Sequence, residues 1–164
     1  MGCEMRIKGI QLEDFVNYKL PSLFLASAYC DFKCCREQHL DTGICQNAPL
    51  AQAPTQDVPD TVLYEKFSAN PITKAVVIGG MEPFLQIDEV ESLLSLFREK
   101  GDHSPFILYT GYYPEEVSEH LARLRKYGNV IVKFGRYIPG RPERYDGVLG
   151  VTLSSDNQFG KIIA

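Results

Sequence analysis

The chain has 164 residues, of which 45% are hydrophobic and 23% are charged, and its formal net charge is −4 at pH 7. This composition is ordinary for a globular protein, and the length predicts a single domain over residues 1–164. The acidic balance argues against a nucleic-acid-binding protein, and apolar runs of about six residues are far shorter than the ~20 that a membrane-spanning helix needs. No export signal is recognisable near the charged start, so we expect a cytoplasmic location in which cysteines stay reduced.

Strand-like and helix-like segments alternate along the chain, which predicts an α/β fold. The predicted strands are residues 23–28, 75–78, 106–109, 130–134 and 148–153. The predicted helices are residues 61–68, an amphipathic segment from Val90 that ends at Gly101, and a segment from Pro114 that ends at Gly128. Residues 48–59, with three prolines, are predicted to be an irregular connection, and residues 136–145 a polar loop. Because successive βα units favour parallel strands, we expect about five mainly parallel strands with helices outside.

Three chemically distinctive segments each follow a predicted strand. A run of cysteines begins at Cys30, a Gly79-Gly80 turn precedes Glu82, and Thr110 follows the third strand. The carboxyl ends of parallel strands meet at one edge of a sheet, where such folds bind ligands. We therefore expect these segments to form one site.

The cysteines predict a metal centre. Four of the five, Cys30, Cys34, Cys35 and Cys45, lie within sixteen residues, and thiolates select zinc or iron–sulfur clusters. A closed zinc site, with His39 replacing one thiolate if needed, is one interpretation, but structural zinc sites usually use two separated cysteine pairs, and only the first pair is present here. Adjacent residues on an extended or turn backbone point apart, so three ligands from these four cysteines are the easier geometry.

The segment from Cys30 to Cys34 resembles the start of the Cys-x3-Cys-x2-Cys motif of the radical S-adenosylmethionine (SAM) family, whose three cysteines hold a 4Fe-4S cluster. Glu37 occupies the third position of that motif here. Cys45-Gln46-Asn47 resembles the Cys-Tyr-Asn ending of the motif in the activating enzymes of this family. The resemblance implies cluster ligands Cys30, Cys34 and Cys45, with Cys35 as the alternative third ligand.

Two further motifs resemble SAM contacts of the same family. Gly79-Gly80-Met81-Glu82-Pro83 resembles a Gly-Gly-Glu-Pro motif with Met81 added, and Thr110-Gly111-Tyr112 resembles the Thr-Gly-Tyr element of the activating enzymes. Glycines let the backbone approach a ligand closely, and a glutamate accepts hydrogen bonds from an ammonium group. The resemblance implies cofactor contacts from Gly79, Gly80, Glu82, Pro83, Thr110 and Gly111.

Segments near both ends of the chain resemble one group within the radical SAM family. Residues 14–17 are similar to a Val-Asn segment of the family, and Gly135-Arg136-Tyr137 and residues 154–163 resemble the Gly-Arg-Tyr segment and the tail of the anaerobic ribonucleotide reductase activating proteins. The resemblance implies a partial (β/α) barrel in which SAM is cleaved to a 5′-deoxyadenosyl radical. It also implies a larger glycyl-radical enzyme as substrate and a flavodoxin- or ferredoxin-type electron donor. The alternatives are a non-catalytic zinc or iron–sulfur binding module, and a radical SAM enzyme that acts on a small molecule.

One lysine and three glutamates are given structural interpretations. Lys133 lies in a strand of apolar residues, and we expect it to reach solvent from the strand end, although it is also placed to face a cofactor carboxylate. Glu115, Glu116 and Glu119 are expected to form a solvated helix face.

Overall fold

A computed structural model describes residues 3–37, 39 and 48–164, with only the backbone at residues 34 and 48. The strands are β1 (Glu4–Asp14), β2 (Ser22–Ser27), β3 (Gln56–Pro59), β4 (Ala75–Gly79), β5 (Phe106–Tyr109), β6 (Val130–Phe134), β7 (Arg144–Asp146), β8 (Val151–Leu153) and β9 (Phe159–Ile162). The helices are α1 (Lys33–Glu37), α2 (Ala48–Ala51), α3 (Asp60–Ser68), α4 (Ile87–Glu99) and α5 (Ser118–Arg125), with short 3-10 turns at Pro83–Gln86 and Pro114–Glu116. Within the described part of the chain, no helix has the length and apolar character that crossing a membrane requires.

Seven strands form the main sheet, in the order β3-β1-β2-β4-β5-β6-β9. The central strands β2, β4, β5 and β6 are parallel, with Leu23 opposite Val76, Val76 opposite Phe106, and Phe106 opposite Val130. Strand β1 pairs antiparallel with β2 and β3, and β9 pairs antiparallel with β6. The fold is therefore mixed α/β with a parallel centre, as the alternating pattern predicts.

The helices α3, α4 and α5 cover one face of this sheet. Strand residues alternate between faces, so Val76 and Ile78 pack in the helix-covered core while Ala75 and Val77 pack on the opposite face. Phe97 of α4 lies at the centre of the helix-covered core, with ring centroids 4.9 Å from Phe106 and 5.2 Å from Phe67. The predicted helices at residues 61–68 and from Val90 are confirmed by this packing, because their apolar stripes are the buried faces.

The opposite face carries a smaller core. Tyr18, from the segment before β2, and Leu149 and Leu153, at the β7–β8 hairpin, pack against Val77 and Ile107. This layer covers only part of the sheet, and a cavity lies beside it.

The predicted strand at residues 148–153 is confirmed only at residues 151–153, and it does not belong to the main sheet. Residues 151–153 form β8, which pairs antiparallel with β7 in a separate two-stranded sheet. The buried Asp146 carboxylate accepts hydrogen bonds from the backbone N–H groups of Val148 and Leu149, each 3.0 Å long, and Gly150 has a positive φ of 71°. These interactions fold residues 147–150 into a turn, so a continuous strand is not possible there.

The observed fold differs from the prediction in further places, mostly where segments distant in sequence pair with each other. Residues 48–59 are not wholly irregular, since they contain α2 and the edge strand β3, which ends at Pro59. Strands β1 and β9 are additional to the predicted set and flank the parallel centre. The predicted helix from Pro114 is interrupted, because Val117 has a φ of −131° and α5 begins only at Ser118.

Candidate iron–sulfur site

A cavity of about 430 Å³ lies at the carboxyl ends of the parallel strands. The loops after β2, β4, β5 and β6 all contribute to its lining, together with the segment before β2 and strand β8. The lining includes Cys30, Cys35, Gly80, Glu82, Thr110 and Gly111 from the predicted set. The expected convergence of the three motifs at one edge of the sheet is thus observed.

Glu82 connects three of these loops. Its backbone N–H donates to the carbonyl of Tyr29 after β2, over 2.6 Å. Its carboxylate Oε1 accepts from Thr110 Oγ1 at 2.7 Å and from the Phe84 N–H at 3.1 Å. Its Oε2 accepts from the Gly111 N–H at 2.9 Å. Three hydrogen bonds to the carboxylate and one from the backbone therefore hold Glu82 at the junction of the β2, β4 and β5 loops.

The environment of Glu82 is nearly dry, with 5% of the residue exposed. Burial raises the pKa of its carboxyl to about 6, although hydrogen bonds from Gly111 and Thr110 and the charge of Lys133 act to lower it. Glu82 is mainly ionised at pH 7 and presents a negative charge to the cavity. Met81, the residue added to the motif, is also buried, and Glu82 lines the cavity in its presence.

The glycines of this motif shape the turn. Gly80 has a φ of +79°, and a Cβ there would lie 2.6 Å from Leu50 Cδ2. Gly79 and Pro83 are outside the cavity lining: the Gly79 carbonyl accepts from Ser27 Oγ at 2.9 Å, and Pro83 begins a 3-10 turn. The structure thus brings Gly80 to the cavity and gives Gly79 and Pro83 supporting positions.

Lys133 faces the cavity, so the expectation that it reaches solvent is wrong. It is 7% exposed, and its Nζ donates to the carbonyls of Thr110 at 3.1 Å and Gly135 at 3.0 Å. The strand period explains this placement, because Val132 and Phe134 point into the helix-covered core and the residue between them must face the other way. A positive and a negative side chain, Lys133 and Glu82, therefore line the same cavity.

Of the four clustered cysteines, the structure describes the side chains of Cys30 and Cys35. Both line the cavity, Cys30 half-buried and Cys35 buried, and Cys30 Sγ accepts a hydrogen bond of 3.3 Å from the Phe32 N–H. Residues 33–37 are helical, so the extended or turn backbone assumed for adjacent cysteines is wrong. Cys45 and the side chain of Cys34 lie outside the described residues, and no group of three metal-ligating side chains occurs among those described.

An ion-pair network that the sequence interpretation missed borders the cavity. Arg136 contacts Glu116 at 2.7 Å and Glu37 at 2.5 Å, and Lys33 forms a further ion pair with Glu116. Although burial acts to raise it, hydrogen bonds from Lys33 and Arg136 lower the pKa of Glu116 to about 2. Glu116 is exposed, as expected, but it lies in the 3-10 turn before α5 and is paired with Lys33 and Arg136. The signal of this pairing in the sequence was the place of Glu116 after the β5 motif rather than any periodicity.

The tail supports the loop after β6. Asn157 Nδ2 donates to the Arg136 carbonyl at 2.7 Å and to the Tyr113 hydroxyl at 2.8 Å, and Gln158 Nε2 donates to the Gly135 carbonyl at 3.3 Å. Gly135 has a φ of +106°, and a Cβ there would lie 3.0 Å from the Asn157 carbonyl oxygen. The Asn-Gln pair of the tail thus shapes the wall of the cavity, although it was identified only through a resemblance.

Comparison with known proteins gives one positive result. No curated protein and no solved structure significantly matches the chain. The sequence profile of a family described as "4Fe-4S single cluster domain" matches residues 22–152, a range that runs from β2 to β8 and includes the clustered cysteines. That range is well over half of the 164 residues, and the chain therefore belongs to the 4Fe-4S single cluster domain family.

Proposed function

We propose that this protein is a radical SAM enzyme that installs a glycyl radical on a larger partner enzyme in the cytoplasm. The observation that carries the proposal is one cavity that joins Cys30 and Cys35 to Glu82 and Lys133 at the carboxyl ends of parallel strands, in a chain of a 4Fe-4S family. A thiol-rich wall next to paired acidic and basic side chains fits a cluster beside a zwitterionic ligand.

The donor set fits a cluster. Cys30, Cys34 and Cys45 would hold it, with Cys35 as the alternative third ligand, and the two thiols of known position both border the cavity. Thiolates are the usual protein ligands of 4Fe-4S clusters. Three thiolates would leave one iron without a protein ligand, as catalytic metal sites keep one position open for substrate.

The other residues suit the amino-acid end of SAM. The Glu82 carboxylate would accept a hydrogen bond from the ammonium group. Its Oε2 already accepts one from the Gly111 N–H at 2.9 Å, and a carboxylate oxygen has two acceptor sites, so it can accept a second. Lys133 supplies a positive charge for the carboxylate. Gly80 and Gly111 allow close approach of the backbone. A cavity of about 430 Å³ is also within the usual size of small-ligand sites.

When bound and reduced, the cluster would supply one electron that splits the sulfur–C5′ bond of SAM, yielding methionine and a 5′-deoxyadenosyl radical that takes a hydrogen atom from the substrate. A flavodoxin- or ferredoxin-type protein would provide the electron. The hydrogen would come from a glycine Cα of the partner. The described sheet ends in the edge strands β3 and β9, and we assign it to a partial barrel whose open side admits a loop of another chain.

Anaerobic reconstitution with iron and sulfide tests the enzymatic proposal. The protein should contain about four irons and four sulfides per chain, and after reduction it should convert SAM to 5′-deoxyadenosine, measured by liquid chromatography. Glu82→Gln should keep the cluster but weaken SAM binding roughly tenfold or more, because a charged hydrogen bond is lost. Glu91→Gln, which removes an ion-paired carboxylate of α4 outside the cavity lining, is the matched control. An intact cluster without 5′-deoxyadenosine would overturn the proposal, and one zinc without sulfide would favour a binding module.

The ligand assignment has its own test. Cys45→Ala should lose most of its iron, whereas Cys35→Ala should retain it, as counted by iron and sulfide analysis after identical reconstitution. A Cys45→Ala variant with a full cluster, together with a Cys35→Ala variant without one, would make Cys35 the third ligand.

A further inference from the structure

We infer that Arg136 and Glu116 are a positioning pair: they attach the cysteine-bearing helix α1 to the cofactor-binding loops and so set the distance between cluster and SAM. This inference rests on the proposed function. It concerns the ion-pair network of Arg136, Glu116, Lys33 and Glu37, which we call the clamp.

The clamp crosses from α1 to two loops of the sheet. On the helix side, Lys33 contacts Glu116, and Glu37 Oε2 lies 2.5 Å from Arg136 Nε. On the sheet side, Glu116 follows β5 and Arg136 follows β6, and their side chains meet at 2.7 Å. Both ends of α1, at Lys33 and at Glu37, are therefore tied to the same pair.

The short helix α1 depends on contacts such as these for its position. With five residues, α1 is far below the length at which a helix is stable alone, so its position depends on tertiary contacts. A further tie is the hydrogen bond of 2.6 Å from the Tyr112 hydroxyl to Asp31 Oδ2, just before the helix. All of these ties lead to the loops after β5 and β6, rather than to the helix-covered core.

The sheet side of the clamp is firmly anchored. The Arg136 side chain is 10% exposed, its Nη1 donates to the Gly111 carbonyl at 3.2 Å, and its guanidinium lies 4.7 Å from the centre of the Tyr113 ring. The planar guanidinium presents several donors in fixed directions, so it can hold two carboxylates, Glu37 and Glu116, in a defined geometry. Lysine could not reproduce this arrangement.

The anchored loop is also a cofactor loop. Gly111, whose carbonyl accepts from Arg136, donates its N–H to Glu82. A shift of α1 relative to Arg136 would therefore change the distance from the cysteines to the groups proposed to hold SAM. Radical transfer depends on that distance, because reacting atoms must lie in near-attack geometry.

The test removes the two α1 side chains of the clamp, Lys33 and Glu37, which leaves the ion pair between the buried Arg136 and Glu116 intact. The variant Lys33→Met with Glu37→Gln should keep its cluster, yet bind SAM roughly tenfold or more weakly in equilibrium dialysis, as expected for lost charged hydrogen bonds. The change that SAM produces in the electron paramagnetic resonance spectrum of the reduced cluster should shrink or broaden. A second double variant, Lys33→Arg with Glu37→Gln, preserves the ion pair with Glu116. It should recover more than half of the SAM affinity that Lys33→Met with Glu37→Gln loses.

Arg123→Gln is the matched control, because Arg123 also pairs with two carboxylates, Asp88 at 2.7 Å and Glu91 at 2.6 Å, but lies outside the cavity lining. It should leave SAM affinity and the spectrum unchanged. Parent-like SAM affinity and spectrum in the double variant would overturn the inference while leaving the proposed function intact. Loss of the cluster in the double variant alone would also overturn the inference, because the clamp would then be needed to hold the cluster rather than to set its distance from SAM. A parent protein that takes up no cluster would instead defeat the proposed function.

Discussion

The two faces of the main sheet differ in what their side chains do. The helix-covered face is a continuous apolar core in which Leu94, Phe97 and Phe106 are almost completely buried. The opposite face, which we call the cavity face, has a smaller apolar cluster next to Lys133 and Tyr109, both of which line the cavity. The difference indicates that one face supplies most of the stability, while the other leaves space and charge for a ligand.

The same substitution on each face should sharpen this contrast most strongly. Leu94→Ala, in the helix-covered core, should lower the free energy of unfolding by about 4 kcal/mol, because close-packed helices cannot collapse onto the void. Leu153→Ala, at the cavity wall, should cost about 2 kcal/mol, because its loss enlarges a space that water already reaches. Urea unfolding of both metal-free variants measures the difference.

Equal losses for the two leucines would contradict the contrast between the faces. In that case the small cluster around Leu149 and Leu153 would have to contribute as much stability per residue as the larger core. Ile107 is completely buried on the cavity face but does not line the cavity. Ile107→Val should lower the free energy of unfolding by about 1 kcal/mol, the usual cost of removing one buried methyl group.

A second pair of variants tests how tightly the turn after β4 is built. Gly80→Ala should destabilise the protein by about 2 to 4 kcal/mol, because it combines a left-handed backbone with contact to Leu50 Cδ2 at 2.6 Å and Ala26 Cβ at 3.2 Å. Gly101→Ala has nearly the same φ, +78°, but nothing within 4 Å of the new Cβ, and should cost only about 1 to 2 kcal/mol.

Both variants pay the same cost for a side chain at a positive φ. The difference between their free energies of unfolding therefore measures the crowding around Gly80 alone. If Gly80→Ala were no more destabilising than Gly101→Ala, the residues around the turn after β4 would be able to move aside. The close packing around the Gly80 backbone would then not be rigid. Thermal or urea unfolding of the two proteins under identical conditions provides the comparison.

The helix-covered face was largely predictable from sequence. Its strands and helices follow local periodicity: the spacing from Val90 to Phe97 marks the buried stripe of α4, and β4 is an uninterrupted apolar run. Local rules also placed the cysteine, Gly-Gly and Thr-Gly motifs after parallel strands, and the structure brings their described residues together around one cavity. Such features depend only on neighbours within a few turns or residues.

The cavity face was less predictable, because its features depend on contacts between distant segments. The burial of Lys133 follows from strand alternation only once the helices are known to lie on one side. Glu116 acquires its role from Arg136, twenty residues away, and the turn at residues 147–150 depends on a single buried carboxylate, Asp146. Neither composition nor periodicity reports such pairings.

The Glu82 carboxyl on the cavity face should make the stability of the protein depend on pH. Burial raises the pKa of Glu82 from an ordinary 4.5 to about 6, so the folded protein binds this proton more tightly than the unfolded chain does. The contribution of Glu82 to stability is therefore fully present below pH 4.5 and is lost as the pH rises through 6. Relative to Glu82→Gln, the metal-free parent should lose about 2 kcal/mol of unfolding free energy between pH 4 and pH 7, since one pKa unit is about 1.4 kcal/mol. A constant difference between the two proteins over that range would mean that the carboxyl is more solvated than its burial implies, whereas the expected drift would show that the cavity face keeps a destabilising negative charge at neutral pH, as a site for a cationic ligand requires.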